Sequence, residues 1–289
     1  MKKTRDTTTI VLVVALLAGL GLMLYPIVSD YWNSFHQTRA IAGYEEKIDT
    51  LASEENAAML AAAHARNEAV ARVGGAYMLS AEEKAQYEDT LNVSGTGMMG
   101  FIEIPSIDVN LPIYHGTAAS ALQVGVGHLD WSSMPVGGPS THTVLSGHRG
   151  LPSATLFSHL DRMVEGDLFH LHVMGELLTY EVDQIRVVEP QEMDSLRIEQ
   201  GQDLATLVTC TPYGINTHRL LVRGHRVENP LASGAVHVSA DAVRIDPLFV
   251  APVLAAPVLL GLLVALLLGD KKNRKQARGD DRIAVELVS

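Results

Sequence analysis

The chain contains a single cysteine, Cys210, and this residue is the first candidate for chemistry. Cysteine attacks as the thiolate, so a nucleophilic cysteine needs a histidine or a cation nearby to manage its proton. His148 in LSGHRG stands at the end of an apolar run, directly after a glycine. For the cation, HRLLVRGHR offers Arg219, Arg223 and Arg226, and Arg219 follows Cys210 by nine residues. A cysteine nucleophile also needs a donor for the oxyanion that forms when it attacks. The alternative is that Cys210 is a small buried hydrophobe.

Other histidines among the twelve in the chain compete for the same role. His142 lies in the same predicted strand as His148, and His128 lies in GVGHLD. His170 and His172 alternate in another strand, and we expect them on one face of a barrel. The sequence has no HExxH or CxxC motif and no carboxylate spaced to complete a histidine pair, so we predict no metal site.

The elements that position these residues are predicted to be short strands. From about residue 100 onward, runs rich in Ile, Val, Leu and Thr are separated by Gly and Pro, which favours a compact β-barrel or sandwich. The turn-forming segment TPYGINT predicts that strands 204–210 and 218–226 lie side by side, with Arg219 near Cys210. Alternation places Arg219, Leu221 and Arg223 on one strand face. Residues 168–188 predict a hairpin that turns at MGE.

The region before the barrel is predicted to be helical. Residues 33–73 indicate one long helix, because no Gly or Pro occurs between Tyr44 and Val73. Further along, SAEEKAQYEDTL predicts a short helix whose start is a capping box made by Ser80 and Glu83.

Two apolar segments are long enough to cross a membrane as helices. Residues 10–28 and residues 248–269 carry no charged side chain. Lys and Arg residues lie outside both segments, so the positive-inside rule predicts that both termini are cytoplasmic. The alternative for the first segment is a cleaved signal peptide, but it lacks an A-x-A-like cleavage site.

The charge distribution excludes one class of partner. Residues 30–247 contain 13 of the 22 Lys and Arg and 28 of the 33 Asp and Glu, a net charge of −15. Nucleic-acid binding needs a basic surface, so we expect no nucleic-acid partner. A single cysteine on the oxidising side of a membrane cannot form an internal disulfide, which favours a reactive thiol or an intermolecular bond.

The segments around the trio resemble the sortases. TLVTC matches the motif that contains their nucleophile, LSGHRG matches their histidine motif, and HRLLVRG matches their arginine strand. FIEIPSIDVNLPIYHGT, VGVGHLD, MPVGG and TPYGINTHRLLVRG extend the similarity to class C, or pilin-polymerising, sortases over roughly residues 88–227. A second membrane span is typical of that class, whereas housekeeping sortases usually have only the N-terminal anchor.

The resemblance implies a mostly β fold, a closed eight-stranded sortase-type β-barrel with short helices. An α-helical N-terminal segment would precede the barrel, and two transmembrane helices would flank it. The implied domains are a cytoplasmic tail (1–9), a transmembrane helix (10–28), an extracellular helical and lid region (29–99), the catalytic barrel (100–228), a linker (229–247), a second transmembrane helix (248–269) and a basic cytoplasmic tail (270–289).

The resemblance also implies a transpeptidase outside a Gram-positive cell. Cys210 would attack the Thr–Gly carbonyl of an LPxTG-like sorting signal, and Arg219 would stabilise the oxyanion and orient the peptide. His148 would act as general acid to the leaving amine and then as base to the incoming one. In the pilin class, that amine is a lysine side chain of the next pilin subunit. No cofactor is implied.

One departure from the class concerns the lid. Class C sortases often carry an Asp-Pro-aromatic triplet upstream of the barrel, and its side chains cover the cysteine. No such triplet occurs in residues 74–99. Tyr77 and Met78, in GGAYMLSAEE, are the candidate replacements; the alternative is a plain linker.

Three other functions stay open on the sequence. A sortase that attaches proteins to the cell wall would use an amine of a peptidoglycan precursor as acceptor. A cysteine peptidase would pass the acyl group to water. A non-enzymatic, membrane-tethered scaffold would need none of Cys210, His148 and Arg219.

Overall fold

The computed structural model describes residues 2–74 and 78–229. The predicted second membrane helix (248–269), the linker after residue 229, the basic C-terminal tail and the lid candidate Tyr77 lie outside the described residues. The barrel and the helical segment from Val28 onward form one compact unit.

The first helix, α1, extends over Lys2–Thr50. From Val11 onward it is long and apolar enough to cross a membrane, and it is the one helix of the described ranges with that property. This part includes most of the predicted membrane segment at residues 10–28. The uncharged run of residues 10–28, rich in Leu, Val, Ala and Gly, is long enough to cross the hydrocarbon core of a bilayer as a helix.

The predicted single helix at 33–73 is wrong in one respect, because the chain bends after Thr50. A second helix, α2, begins at Ser53 and ends at Val73. Between the two, Leu51 packs against the barrel core, and Ala52 adopts an extended backbone conformation. No Gly or Pro marks the bend in the sequence. The bend accompanies the packing of Leu51 against the barrel core, and local helix propensity does not indicate such a contact.

The third helix, α3 (Ala81–Asp89), confirms the predicted capping box. The Ser80 hydroxyl accepts from the backbone N–H of Glu83 (3.2 Å), and the Glu83 carboxylate accepts from the N–H of Ser80 (2.8 Å). These two bonds satisfy backbone donors that the first turn of a helix leaves free. A short fourth helix, α4 (Ala119–Leu122), lies between two strands.

Eight strands close into a barrel, which confirms the predicted fold and excludes the sandwich. Their order around the barrel is β1-β2-β3-β4-β7-β8-β6-β5. The β2–β3 and β4–β7 pairs are parallel, and the other pairs are antiparallel. The strands are β1 (Met98–Ile104), β2 (Val109–His115), β3 (Val126–His128), β4 (Thr141–Ser146), β5 (Leu168–Val173), β6 (Glu176–Val188), β7 (Asp203–Thr211) and β8 (His218–Val227).

The predicted hairpin at 168–188 is confirmed as β5 and β6. Its turn consists of Met174 and Gly175, which both have positive φ angles, 54° and 81°. Glycine adopts this conformation without steric cost, so the MGE segment supplies a residue suited to the turn.

Polar side chains fasten the helices to the barrel. The buried Tyr44 hydroxyl of α1 donates to the carbonyl of Met99 (3.0 Å) and accepts from the N–H of Met174 (2.9 Å). The side-chain amide of Asn67 in α2 exchanges two hydrogen bonds with the backbone of Met134 (2.6 and 3.1 Å). Because these groups are buried, losing one partner would leave the other unsatisfied, and the helices are therefore specifically placed.

Candidate active site

A cleft of about 730 Å³ opens on the outer face of the barrel, and it contains all three predicted site residues in its lining. Cys210, His148 and Arg219 come from three separate parts of the chain. Val208 and Leu221 form part of the floor of the same cleft. These two side chains belong to a small apolar cluster that is separate from the barrel core.

Cys210 and Arg219 face each other across two antiparallel strands. They are direct partners in the register of β7 and β8, as the sequence predicted. Directly opposed residues in an antiparallel pair project from the same face with neighbouring Cβ atoms. The Arg219 guanidinium donates from Nη1 to the carbonyls of His218 (3.0 Å) and Asn216 (3.3 Å), which tether it to the loop that joins the strands.

His148 is brought to Cys210 by the parallel pairing of β4 and β7. Ser146 is the register partner of Val208, so both chains leave the barrel at the same end. Two hydrogen bonds continue this pairing past the strand. The Gly147 N–H donates to the carbonyl of Val208 (3.0 Å), and the Thr209 hydroxyl donates to the carbonyl of Gly147 (2.8 Å). The loop that carries His148 is thus bonded to the strand that carries Cys210.

Gly147 must be a glycine because an aromatic ring fills the space beside it. A Cβ atom added at this position would lie 2.6 Å from the ring of Phe157, which is fully buried. The N–H of Phe157 also donates to the carbonyl of His148 (3.1 Å). The glycine therefore lets the histidine loop fold closely onto the barrel end.

The rival histidines are buried structural residues. His128 is fully buried, its Nε2 donates to the carbonyl of Ser133 (2.8 Å), and burial lowers its pKa to about 3. His142 is also buried, which lowers its pKa, and its two ring nitrogens bond to the carbonyl of Arg197 (2.8 Å) and the hydroxyl of Thr206 (2.7 Å). Neither ring lines the cleft. The hydrogen bonds of His128 and His142 instead connect loops and strands of the barrel.

His170 and His172 project from one side of β5, as predicted. His172 stacks on Phe101 with ring centroids 4.2 Å apart, and His170 bonds to the hydroxyl of Thr179 (3.0 Å). Burial lowers the pKa of both rings. Within residues 2–74 and 78–229, no three His, Cys, Asp or Glu side chains form a group that could hold a metal ion.

Of the two lid candidates, only Met78 belongs to the described residues. Met78 is 96% exposed and is not part of the cleft lining, while Tyr77 lies outside the described residues. The wall is formed instead by α3, through Lys84, Tyr87 and Glu88. The Tyr87 hydroxyl accepts from the N–H of Gly116 (2.8 Å), which joins the helix to the turn after β2.

Sequence reasoning missed Tyr87 as a cleft residue. Its position in the capped helix was predicted, but the direction of its side chain was not. Four carboxylates also line the cleft, against the cations Lys84 and Arg219; they are Glu88, Asp130, Glu189 and Glu192. These residues are scattered along the sequence, and only the fold brings them to one rim.

Comparison with known proteins agrees with this architecture. The model of the Sortase domain matches residues 102–227. The crystal structure of sortase C1 from Streptococcus agalactiae is 46% identical, with a TM-score of 0.65, over 66% of this chain and 100% of that one. The chain belongs to the sortase family. The closed eight-stranded barrel is therefore a sortase barrel.

Two further sortases show the range of the similarity. Sortase C from Streptococcus pneumoniae is 41% identical over 66% of this chain and 97% of that one, with a TM-score of 0.58. Sortase D from Bacillus subtilis strain 168 is 32% identical over 131 residues, 44% of this chain. The match spans 63% of the length of the Bacillus protein.

Proposed function

We propose that this sortase is a membrane-anchored cysteine transpeptidase that joins pilin subunits. It would cleave an LPxTG-like sorting signal between Thr and Gly and transfer the acyl group to a lysine of the next pilin. The observation that carries the proposal is the placement of Cys210, His148 and Arg219 in one cleft by three different segments of a sortase barrel. A scaffold protein would have no need of these three side chains together.

In the first half-reaction, the Cys210 thiolate attacks the carbonyl carbon of the Thr–Gly bond. The negative charge that develops on the carbonyl oxygen is stabilised by the guanidinium of Arg219, the cross-strand partner of Cys210. The C–N bond then breaks, and the leaving glycine amine takes its proton from His148. The products are a thioester on Cys210 and the released C-terminal fragment of the signal.

In the second half-reaction, a lysine amine attacks the thioester carbonyl. His148, which is now neutral, accepts a proton from the attacking amine. The C–S bond breaks, Cys210 leaves as the thiolate, and an isopeptide bond joins the two proteins. The Cys210 thiolate and the protonated His148 are both regenerated, and the acyl group has moved to the lysine. The two half-reactions therefore need no cofactor.

The charge of the cleft supports an amine as the acceptor. Four carboxylates line it, against Lys84 and Arg219, and the segment between the predicted membrane spans is acidic as a whole. A negative field of this kind attracts a lysine ammonium group during its approach. Similarity to the sortase C of Streptococcus pneumoniae, whose structure is described as informative about pilin substrate specificity, favours a pilin lysine.

The proposed topology keeps the cleft outside the cell. The apolar part of α1 would be the first membrane helix, and residues 248–269, outside the described residues, would be the second. Basic residues beyond both segments would hold the termini in the cytoplasm. The sorting signals of secreted pilins would then meet the enzyme on the outer side of the membrane.

The test is an intact-mass measurement on the full chain in detergent micelles. An LPxTG-type peptide is added with and without a lysine-bearing pilin fragment, and Cys210→Ala is the matched control. We expect an acyl adduct on the wild-type protein alone, which moves to the pilin lysine when the fragment is present. Release of the adduct only to water would instead indicate a peptidase. Transfer to a peptidoglycan-precursor amine in preference to lysine would indicate a cell-wall-anchoring sortase.

A further inference from the structure

The face of α1 that points away from the barrel carries an exposed aromatic patch. Val28, Tyr31, Trp32 and Phe35 are 62%, 64%, 63% and 50% exposed, and they recur at spacings of three and four residues. Such spacings place side chains on one side of a helix. Arg39 continues this side, with its guanidinium 5.8 Å from the centre of the Phe35 ring. We call these five residues the aromatic face.

The opposite side of the same helix is fully committed to the barrel. The Asp30 carboxylate accepts from the N–H (2.7 Å) and hydroxyl (3.0 Å) of Thr155. Asn33 and Gln37 donate to backbone carbonyls in the barrel loops, at 2.7 and 3.0 Å. Because these hydrogen bonds fix the rotation of the helix about its axis, the aromatic face cannot become buried against the barrel.

We infer that the aromatic face lies in the lipid headgroup region of the membrane. It follows the uncharged run of residues 10–28 directly along α1. Tyr and Trp rings are enriched at membrane interfaces, since they have an apolar body and a polar edge. An arginine beside them suits anionic lipids. Farther along this side, the acidic Glu46 ends the patch. The inference rests on the proposed membrane anchoring of α1.

The two tryptophans of the chain allow a direct test in the full-length protein. One is Trp32, in the aromatic face, and the other is Trp131, in the cleft. The Trp131→Phe variant is reconstituted into phosphatidylcholine–phosphatidylglycerol vesicles that contain lipids brominated near the headgroup end of the acyl chain. We expect strong loss of Trp32 fluorescence. In the matched control, Trp32→Phe, the remaining Trp131 should be quenched much less.

Equal quenching of the two tryptophans by brominated lipid would overturn the inference. So would a Trp32 that is shielded from both brominated lipid and aqueous acrylamide, because a second protein chain would then cover the face. The measurement needs no substrate, so failure of acyl transfer would not affect its outcome.

A different observation concerns Arg149, which links the histidine loop to the cysteine strand. Its side chain is only 9% exposed. Nη1 donates to the hydroxyl of Thr211, next to Cys210, at 3.1 Å, and Nη2 pairs with Asp161 at 2.6 Å. The guanidinium also lies 5.9 Å from the ring centre of Tyr213, in the loop between β7 and β8. The Arg149 side chain therefore connects the loop that carries His148 to the end of β7 and to the β7–β8 loop.

We propose that Arg149 is a positioning residue that sets the distance between His148 and Cys210. This second proposal builds on the proposed function of the cleft. An arginine suits the task because its planar group can bond two partners at once while stacking on an aromatic ring. Lysine offers a single ammonium group and cannot reproduce all three contacts.

The test compares Arg149→Ala with Arg162→Ala, an exposed arginine in the same connection between β4 and β5. We expect kcat for acyl transfer to fall on the order of tenfold or more in Arg149→Ala, with little change in the KM for the peptide. The pH profile of Cys210 alkylation by iodoacetamide should also shift, and Arg149→Lys should restore only part of the rate. Arg162→Ala should behave as wild type.

Thr211→Val provides a milder variant that removes only the hydrogen bond to Arg149. It should lower kcat in the same direction by a smaller factor. Wild-type kcat and alkylation profiles in Arg149→Ala and Thr211→Val would overturn the proposal. Alkylation of Cys210 requires no sorting signal. If the wild-type enzyme showed no acyl transfer, the proposed function would be contradicted, but the alkylation profiles would still test the role of Arg149.

Discussion

The two faces of the β7–β8 pair share one backbone and differ in what they contact. On the inner face, Leu220 and Val222 pack into the large core of the barrel with Leu207. On the outer face, Leu221 packs in a small apolar cluster and lines the cleft beside Arg219. Adjacent residues in the same strand therefore belong to two different environments.

This difference follows from the alternation of side chains along a strand. The inner positions exclude water and hold the barrel closed, while the outer positions offer side chains to a ligand. A one-residue slip of β8 would exchange the two sets, so the register that pairs Cys210 with Arg219 also determines which residues fill the core. Substitutions on the two faces should separate stability from activity.

The largest effect is expected for Cys210→Ala, on the outer face. Acyl transfer should fall by more than about a thousandfold, because no other thiol exists in the chain to replace the nucleophile. The free energy of unfolding should change by less than about 1 kcal/mol, since Cys210 is only partly buried. Mass spectrometry of the adduct and urea unfolding check the two parts. Residual wild-type activity would remove Cys210 from the mechanism.

Leu220→Ala and Leu221→Ala form a matched pair, with 5% and 4% exposure on opposite faces. Leu220→Ala should lower the free energy of unfolding by about 2–5 kcal/mol, because it leaves a cavity in the core. At a temperature where it stays folded, its KM for the sorting peptide should match the wild type. Leu221→Ala should destabilise less and raise KM several-fold. Identical effects of the two substitutions would contradict the division between faces.

Gly147→Ala tests the junction between the faces, where the histidine loop leaves the barrel. The new methyl group would meet the buried ring of Phe157, and relieving that overlap should cost about 1–3 kcal/mol of unfolding free energy. Because His148 follows directly, kcat should fall as well. Gly43→Ala, where no atom lies within 4 Å of the added Cβ, is the control. It should leave kcat unchanged and should not lower the free energy of unfolding, because alanine is more favourable than glycine in the interior of helix α1. A fully active and stable Gly147→Ala would disprove the close packing.

The smallest effect concerns pH and the buried histidines. The folded pKa of His128 is about 3, below its ordinary value of 6.5, so the unfolded chain binds more protons between these values. Stability from His128 is therefore complete above pH 6.5 and decreases on acidification by up to about 1.4 kcal/mol per pH unit. His142 acts in the same direction.

Urea unfolding between pH 6.5 and pH 5 measures this slope, before carboxylates begin to titrate. His128→Gln should show a shallower slope than the wild type over that window. A slope unchanged by the substitution would mean that His128 is not buried in the neutral form.

Parts of the fold and of the candidate site could be predicted from the sequence because their signals are local patterns. The capping box at Ser80, the hairpin turn at Gly175 and the pairing of Cys210 with Arg219 each depend on residues close together in the chain. The bend after Thr50 was not predictable in this way. It accompanies packing of Leu51 against the barrel core, a contact between distant parts of the chain.

By itself, the sequence determined the strands, their alternation and which three residues are candidates for the site. Only the tertiary structure decided that His128 and His142 are buried while His148 lines the cleft, and that α3 forms a wall of it through Tyr87. The physical reason is that periodicity and turn chemistry act over a few residues. Burial and the meeting of side chains from distant segments depend instead on how the whole barrel closes.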